Sequence, residues 1–134
     1  MTNIDLNKYG QFVDAVTSEE SKKSSALEPV MRELSKHAIM PRLLTAGIGL
    51  SSETGEFNEI IKKCMFQGKP MDEDTLFHMK RELGDVIWYW MQACFALNAD
   101  PNDIIQMNID KLEARYPGGK FDAHYSENRV DGDV

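Results

Sequence analysis

Apolar residues recur along this chain at spacings of three and four, and strict alternation is nearly absent, so the pattern predicts an all-α protein. Leu6, Tyr9, Phe12, Val13 and Val16 fall on one helical face and predict a first amphipathic helix. The polar run 17–25 predicts a loop or a weak helix end, and 27–40 a short helical segment that stops before Pro41. Pro41 suits the first turn of the next helix, where its missing N–H would have had no partner. That helix is predicted over about 41–66, until the Gln67-Gly68-Lys69-Pro70 run breaks it. Asp72 predicts the N-cap of a helix over about 73–97. Pro101 opens a further helix that ends near Tyr116, stopped by Pro117, Gly118 and Gly119. The stretch 120–134 lacks periodicity and is expected to be a tail, flexible from 123 onward. The expectation is a single domain over 1–134 with its core in 41–122. Its architecture is a compact bundle of four to five helices, two of them long, antiparallel and joined by a short loop.

One of those long helices is too apolar for one bundle. Trp88, Tyr89, Trp90 and Met91 follow one another, so two faces are apolar. The second face is expected to meet another subunit, because large exposed apolar patches are uncommon on monomers.

Composition narrows the partners. At 134 residues there is room for one domain, and 42% hydrophobic with 28% charged residues is an ordinary globular balance. Fifteen Lys and Arg against 22 Asp and Glu leave a net charge of −7, with a pI near 4.9. Such acidity excludes non-specific nucleic-acid binding through a basic patch. It also disfavours any polyanionic ligand unless a cation accompanies it. Cys64 and Cys94 form no C-x-x-C pair and sit in apolar runs, which reads as buried, reduced thiols. The first ten residues have no basic or apolar stretch of a secretory signal. The longest apolar run, 86–97, is shorter than the roughly 18–20 residues of a membrane span. A cytoplasmic protein of bacterial or viral character is expected, with no membrane partner.

The chemistry concentrates on the two long helices. One carries Glu53-Thr-Gly-Glu56 followed by Glu59, and the other carries Glu82-Leu-Gly-Asp85. A spacing of three stacks each pair one turn apart on one face. Like charges so placed repel, and the lysines that could offset them, Lys62 and Lys63, come only after the stripe. Leu50, Phe57, Ile60 and Ile61 flank the first pair and Leu83, Val86 and Ile87 the second, which puts the carboxylates near the apolar side. Gly55 and Gly84 inside the motifs each cost about 1 kcal/mol against Ala in a helix. They are expected to permit close helix approach. Four carboxylates at a helix crossing make a hard-oxygen cage for Mg²⁺ or Mn²⁺. A solvated acidic face would explain one such pair, but two, each with a glycine, on neighbouring helices favour the cage.

Asn108, Lys111 and Arg115 share one face of the following helix and suit phosphate oxygens, or else form a solvated polar face. Lys62, Lys63, Lys69 and Lys80 near the central loop invite the same two readings. His37, His78 and His124 have no mutual metal spacing, and the E-x-x-H of a helical di-iron site is missing. There is no P-loop and no nucleophile elbow, and 72–74 does not match a calcium loop.

The E-x-x-E pair, the 25-residue gap and the E-x-x-D pair together resemble the signature of the MazG-like all-α nucleoside triphosphate pyrophosphohydrolases. LLTAGIGLSSETGEFNEIIKKCMFQGKP, RELGDVIWYW and NIDKLEARYPGGKF look like successive blocks of a short, single-domain branch. The resemblance covers about 41–122, and the first 40 residues match only loosely. Ser52 is a departure, since many relatives carry a second Glu before the first motif Glu. The resemblance implies Mg²⁺-dependent hydrolysis of an NTP or dNTP to the monophosphate and pyrophosphate, with Mn²⁺ as a substitute. It implies that Glu53, Glu56, Glu82 and Asp85 hold metal, and that the protein is a homodimer or homotetramer. Glu53 is the first candidate for polarising the attacking water and Glu56 the second. Lys111 and Arg115, with Asn108, are the candidates for phosphate. Trp88 and Phe57 could stack the base, although a core role is favoured for each. Two bound Mg²⁺ would bring the −4 of the four carboxylates to about neutral, which removes the objection to a nucleotide. Two rival classes remain: a related helical phosphohydrolase acting on dUTP or a phosphoribosyl nucleotide, and a non-enzymatic module whose acidic helices face a basic partner.

Overall fold

The computed structural model describes residues 4–128, and among them every regular element is a helix. Seven helices follow one another rather than the expected four to five: α1 Leu6–Val16, α2 Glu19–Lys22, α3 Ser24–Leu34, α4 Met40–Phe66, α5 Glu73–Ala96, α6 Pro101–Arg115 and α7 Ala123–Glu127. The extra elements are short. The polar run after Val16 forms the single turn α2, and α3 ends at Leu34, so Met40 opens α4 instead of closing the preceding helix. The expected tail contains α7, because Asp122 accepts a hydrogen bond from the His124 N–H at 2.8 Å and caps a turn. The remainder of that stretch, 129–134, lies outside the described residues, as do residues 1–3 of the opening stretch.

Aspartates set most of the helix starts. Asp5 accepts from the Asn7 and Lys8 N–H groups at 3.0 and 3.2 Å, and Asp100 from Asn102 at 2.8 Å, ahead of Pro101. Asp72 accepts from the Thr75 N–H at 2.9 Å, as its position before 73 predicts. That bond, together with the Thr75 hydroxyl and the charge of Lys69, holds the Asp72 carboxyl below the usual range.

The two long helices form an antiparallel hairpin and are the pair that packs most extensively. Its open end is tied by a backbone bond from the Ile39 N–H to the Ala96 carbonyl at 2.8 Å. Its interior is built from small residues: Ala46, Gly49, Thr75, Cys94 and Ala96 are the buried ones. Cys94 is thus a buried free thiol as expected, while Cys64 is free but only half-buried. The close approach of the helices falls at Gly49, where an added Cβ would run into the ring of Tyr89. Gly55 and Gly84, expected to provide it, have no side chain or facing backbone within 4 Å of a built Cβ, because both point away from the partner helix.

The chain alone is not compact. Its accessible surface is 10,782 Å². A folded monomer of this mass would expose about 7,100 Å². Exposed apolar side chains contribute to the excess. Tyr9 and Phe12 on α1, Ile48 on α4, Leu83, Ile87 and Trp88 on α5, and Ile105 on α6 are all at least half exposed. Trp88 therefore does not take the core role favoured for it; it stands 54% exposed, edge-on to Tyr89 with 4.8 Å between ring centroids. Among the described residues no helix is long and apolar enough to cross a membrane.

Candidate functional site

The antiparallel pairing that sets Gly49 against Tyr89 also sets the E-x-x-E turn of α4 against the E-x-x-D turn of α5. One carboxylate oxygen from each of Glu53, Glu82 and Asp85 comes within 4.8 Å of the others. Glu53 and Glu82 are half-buried and Asp85 is exposed. Burial raises the Glu53 carboxyl above its ordinary value, and the charges of Glu56, Asp85 and Glu82, in that order, raise it further. Three hard oxygen donors, with one acid pushed toward its neutral form by burial and then by neighbouring carboxylates, are a donor set that suits a divalent cation.

Glu56 stands outside this trio. It is exposed, one turn along α4, and lines a pocket of about 420 Å³ with Glu82. Glu59 is tied up: its carboxylate pairs with Lys63 at 3.3 Å and Lys62 at 3.6 Å, and Lys63 foremost draws its pKa down.

The pocket beside Glu56 and Glu82 opens toward the α4–α5 turn and is lined also by Glu59, Ile60, Lys63, Lys69 and His78. On the other side of the trio, α6 lies across the hairpin and closes a second, mostly apolar cleft of about 510 Å³. It is lined by Leu50, Val86, Ile87, Trp90, Ile104 and Asn108. Asn108 is thus drawn toward the site through this cleft, whereas Lys111 and Arg115 lie further along α6, outside that lining. Lys111 is exposed and Arg115 half-buried. Phe57 is half-buried and lines neither pocket. The aromatic ring in the cleft is Trp90, which the sequence did not separate from its neighbours; its offset of four from Val86 and eight from Glu82 was the available signal. His78 was likewise passed over, for want of a second histidine.

Comparison with known proteins agrees with this geometry. The MazG nucleotide pyrophosphohydrolase domain matches residues 43–119, which holds both acidic turns, the hairpin turn and α6. The Gene 37 protein of Mycobacterium phage L5 is 30% identical over 73 residues, or 54% of this chain. The match covers 64% of that protein, less than two thirds of its length. No solved structure matches the chain significantly. With more than half its length matched, both acidic motifs included, the chain belongs to the MazG nucleotide pyrophosphohydrolase family.

Proposed function

We propose that this chain hydrolyses a nucleoside triphosphate, ribo or deoxy, to the monophosphate and pyrophosphate with Mg²⁺, for which Mn²⁺ can substitute. The observation that carries the reading is the convergence of Glu53, Glu82 and Asp85 across α4 and α5 within the matched domain. The donor set fits: all ligands are carboxylate oxygens, and the raised Glu53 carboxyl marks a place where negative charge lacks compensation. Glu53, Glu82 and Asp85 would hold the metal, with Glu56 from the next turn. When bound, the cation neutralises phosphate charge and acidifies water.

The chain's own groups do the rest. Glu53, in the trio beside the metal position, is the first candidate to accept a proton from the attacking water. Glu56, one turn away, is the second group able to do so. Asn108, Lys111 and Arg115 present an amide, an ammonium and a guanidinium on α6 to phosphate oxygens. Phosphoryl transfer asks for little covalent chemistry from protein, so positioning and charge compensation suffice.

The working form is a homodimer or homotetramer, in which second copies cover the apolar faces of α1, α5 and α6 and complete the bundle. The surface excess of the isolated chain supports this. Neither nucleic acid nor membrane is a partner, and the protein acts in the cytoplasm of a bacterial or phage-infected cell.

The test is pyrophosphate release across the eight common NTPs and dNTPs with Mg²⁺, Mn²⁺ or EDTA. Turnover of at least one nucleotide that EDTA abolishes is expected. Turnover of dUTP alone would narrow the substrate. No turnover with either metal would overturn the hydrolase in favour of a module that binds a basic partner.

A further inference from the structure

The two pockets flanking the carboxylates differ in chemistry, and the difference gives the site a direction. Along α4 the order is Leu50, Glu53, Glu56, Lys63; along antiparallel α5 it is Trp90, Val86, Asp85, Glu82, His78. The trio therefore sits between an apolar cleft at the α6 side and a polar pocket at the hairpin turn. A nucleoside triphosphate has the same asymmetry: a flat, weakly polar base at one end and a chain of three charged phosphates at the other.

The polar pocket is assembled by the backbone. Gly68 takes a φ of +71°, which returns the chain after α4 so that the Lys69 N–H donates to the Lys63 carbonyl at 3.1 Å. This returns the Lys69 backbone to the end of α4, so that Lys63, the half-buried Lys69 and His78 from α5 line one pocket. The present partners of Lys63 and His78 are replaceable. Lys63 pairs with Glu59 at 3.3 Å and His78 with Asp74 at 3.6 Å, both with exposed side chains, and such pairs hold weakly in water.

We propose that Lys63, Lys69 and His78 form the subsite for the outer two phosphates. The substrate then lies along the hairpin with its outer two phosphates at the turn and its nucleoside in the cleft of Leu50, Val86 and Trp90, which leaves the α6 polar groups to the first phosphate. The inference rests on the pyrophosphohydrolase reading and specifies its binding mode. In the reaction, the water oxygen bonds to phosphorus on one side of the bridge between the first and second phosphates. The bridging P–O bond breaks, its electron pair stays on the departing oxygen, and the water proton passes to a carboxylate. The outer two phosphates depart as pyrophosphate, whose negative charge Lys63 and Lys69 offset.

The experiment is calorimetric titration of the full chain with inorganic pyrophosphate and Mg²⁺, alongside turnover of the preferred triphosphate. Lys63→Met and Lys69→Met are each expected to weaken pyrophosphate binding about tenfold, and the pair about a hundredfold. Binding of a nucleoside monophosphate with Mg²⁺ should stay within about twofold of wild type, and Lys63→Arg should keep most of the pyrophosphate affinity. Melting curves identify any variant that has lost its fold, in which case Lys63→Gln and His78→Gln take its place. Pyrophosphate binding that survives the paired substitution while Lys111→Met abolishes it would overturn the assignment and move the outer phosphates to α6. So would equal losses for pyrophosphate and monophosphate. In both cases wild-type turnover persists and the hydrolase reading stands. A wild-type chain that neither binds pyrophosphate nor turns over any nucleotide overturns both.

Discussion

Gly49 and Tyr89 occupy one space at the crossing of α4 and α5: the tyrosine ring lies where any residue larger than glycine would place its Cβ. This contact, one turn from Glu53 and one turn from Asp85, fixes the separation and register of the two acidic turns. Gly49→Ala is expected to cost about 1–3 kcal/mol, since the half-buried ring must shift to admit the methyl. Chemical denaturation measures it. The same substitution in a Tyr89→Ala background should cost much less, which a double-mutant cycle reads directly. An equal penalty in both backgrounds would mean that the ring is not what excludes the methyl.

Gly55 and Gly84 should behave in the opposite way. Each lies inside a helix with open space around a built Cβ, so alanine removes backbone entropy from the unfolded chain and meets nothing in the folded one. Gly55→Ala and Gly84→Ala are each expected to stabilise the chain by about 0.5–1 kcal/mol. A loss on either substitution would place that glycine against a second copy.

The Glu53 carboxyl gives the site a pH signature. Its folded pKa lies above the ordinary 4.5, so the native state holds the proton more tightly than the unfolded state. Below 4.5 it makes no difference to stability. As pH rises through 4.5 and then through the raised folded value, stability is lost, and the loss persists at neutral pH. Melting temperature against pH without metal should therefore fall less steeply for Glu53→Gln than for the wild type above pH 4.5. Mg²⁺ should raise the wild-type curve at neutral pH and leave that of Glu53→Gln nearly unmoved. Identical metal responses would remove Glu53 from the ligand set.

Asp85 is the most exposed of the trio. Asp85→Asn keeps shape and volume while removing one donor charge. Pyrophosphate release should fall at least about a hundredfold with melting temperature unchanged in EDTA. Full activity in this variant and in Glu56→Gln together would sink the assignment of the acidic turns.

Much of this arrangement was legible before the structure. Period, prolines and the Asp72 cap placed α4, α5 and α6 within a residue or two, because each long helix has a strong local stop and start. The acidic turns were legible for the same reason: a spacing of three fixes a helical face. What spacing could not supply was the rotation of one helix against the other. A glycine in a helix marks a close approach only if it faces the partner, and Gly49 does while Gly55 and Gly84 do not. That rotation also separates Glu56 from the trio and Trp90 from Trp88. The apparent compactness of the pattern misled for a related reason. Amphipathic periodicity reports that a face is to be covered, not by which chain.

The outward face of α5 provides the test of that last point. Leu83 and Trp88 are each at least half exposed on α5, a helix that packs on α4, and neither lines the cleft under α6. If a second copy covers them, the wild-type chain should run as a dimer or tetramer in light scattering, with a melting temperature that rises with protein concentration. Trp88→Asp would then bury a charge at the interface and should shift the population toward monomer, lowering the melting temperature and making it independent of concentration. Activity should fall with it, because α5 carries Glu82 and Asp85 and loses the support that holds its course. A Trp88→Asp chain that keeps the wild-type mass would place the subunit contact on α1 or α6 instead, where Phe12 and Ile105 are exposed to a similar degree. Phe12→Asp and Ile105→Asp decide between those two faces by the same measurement.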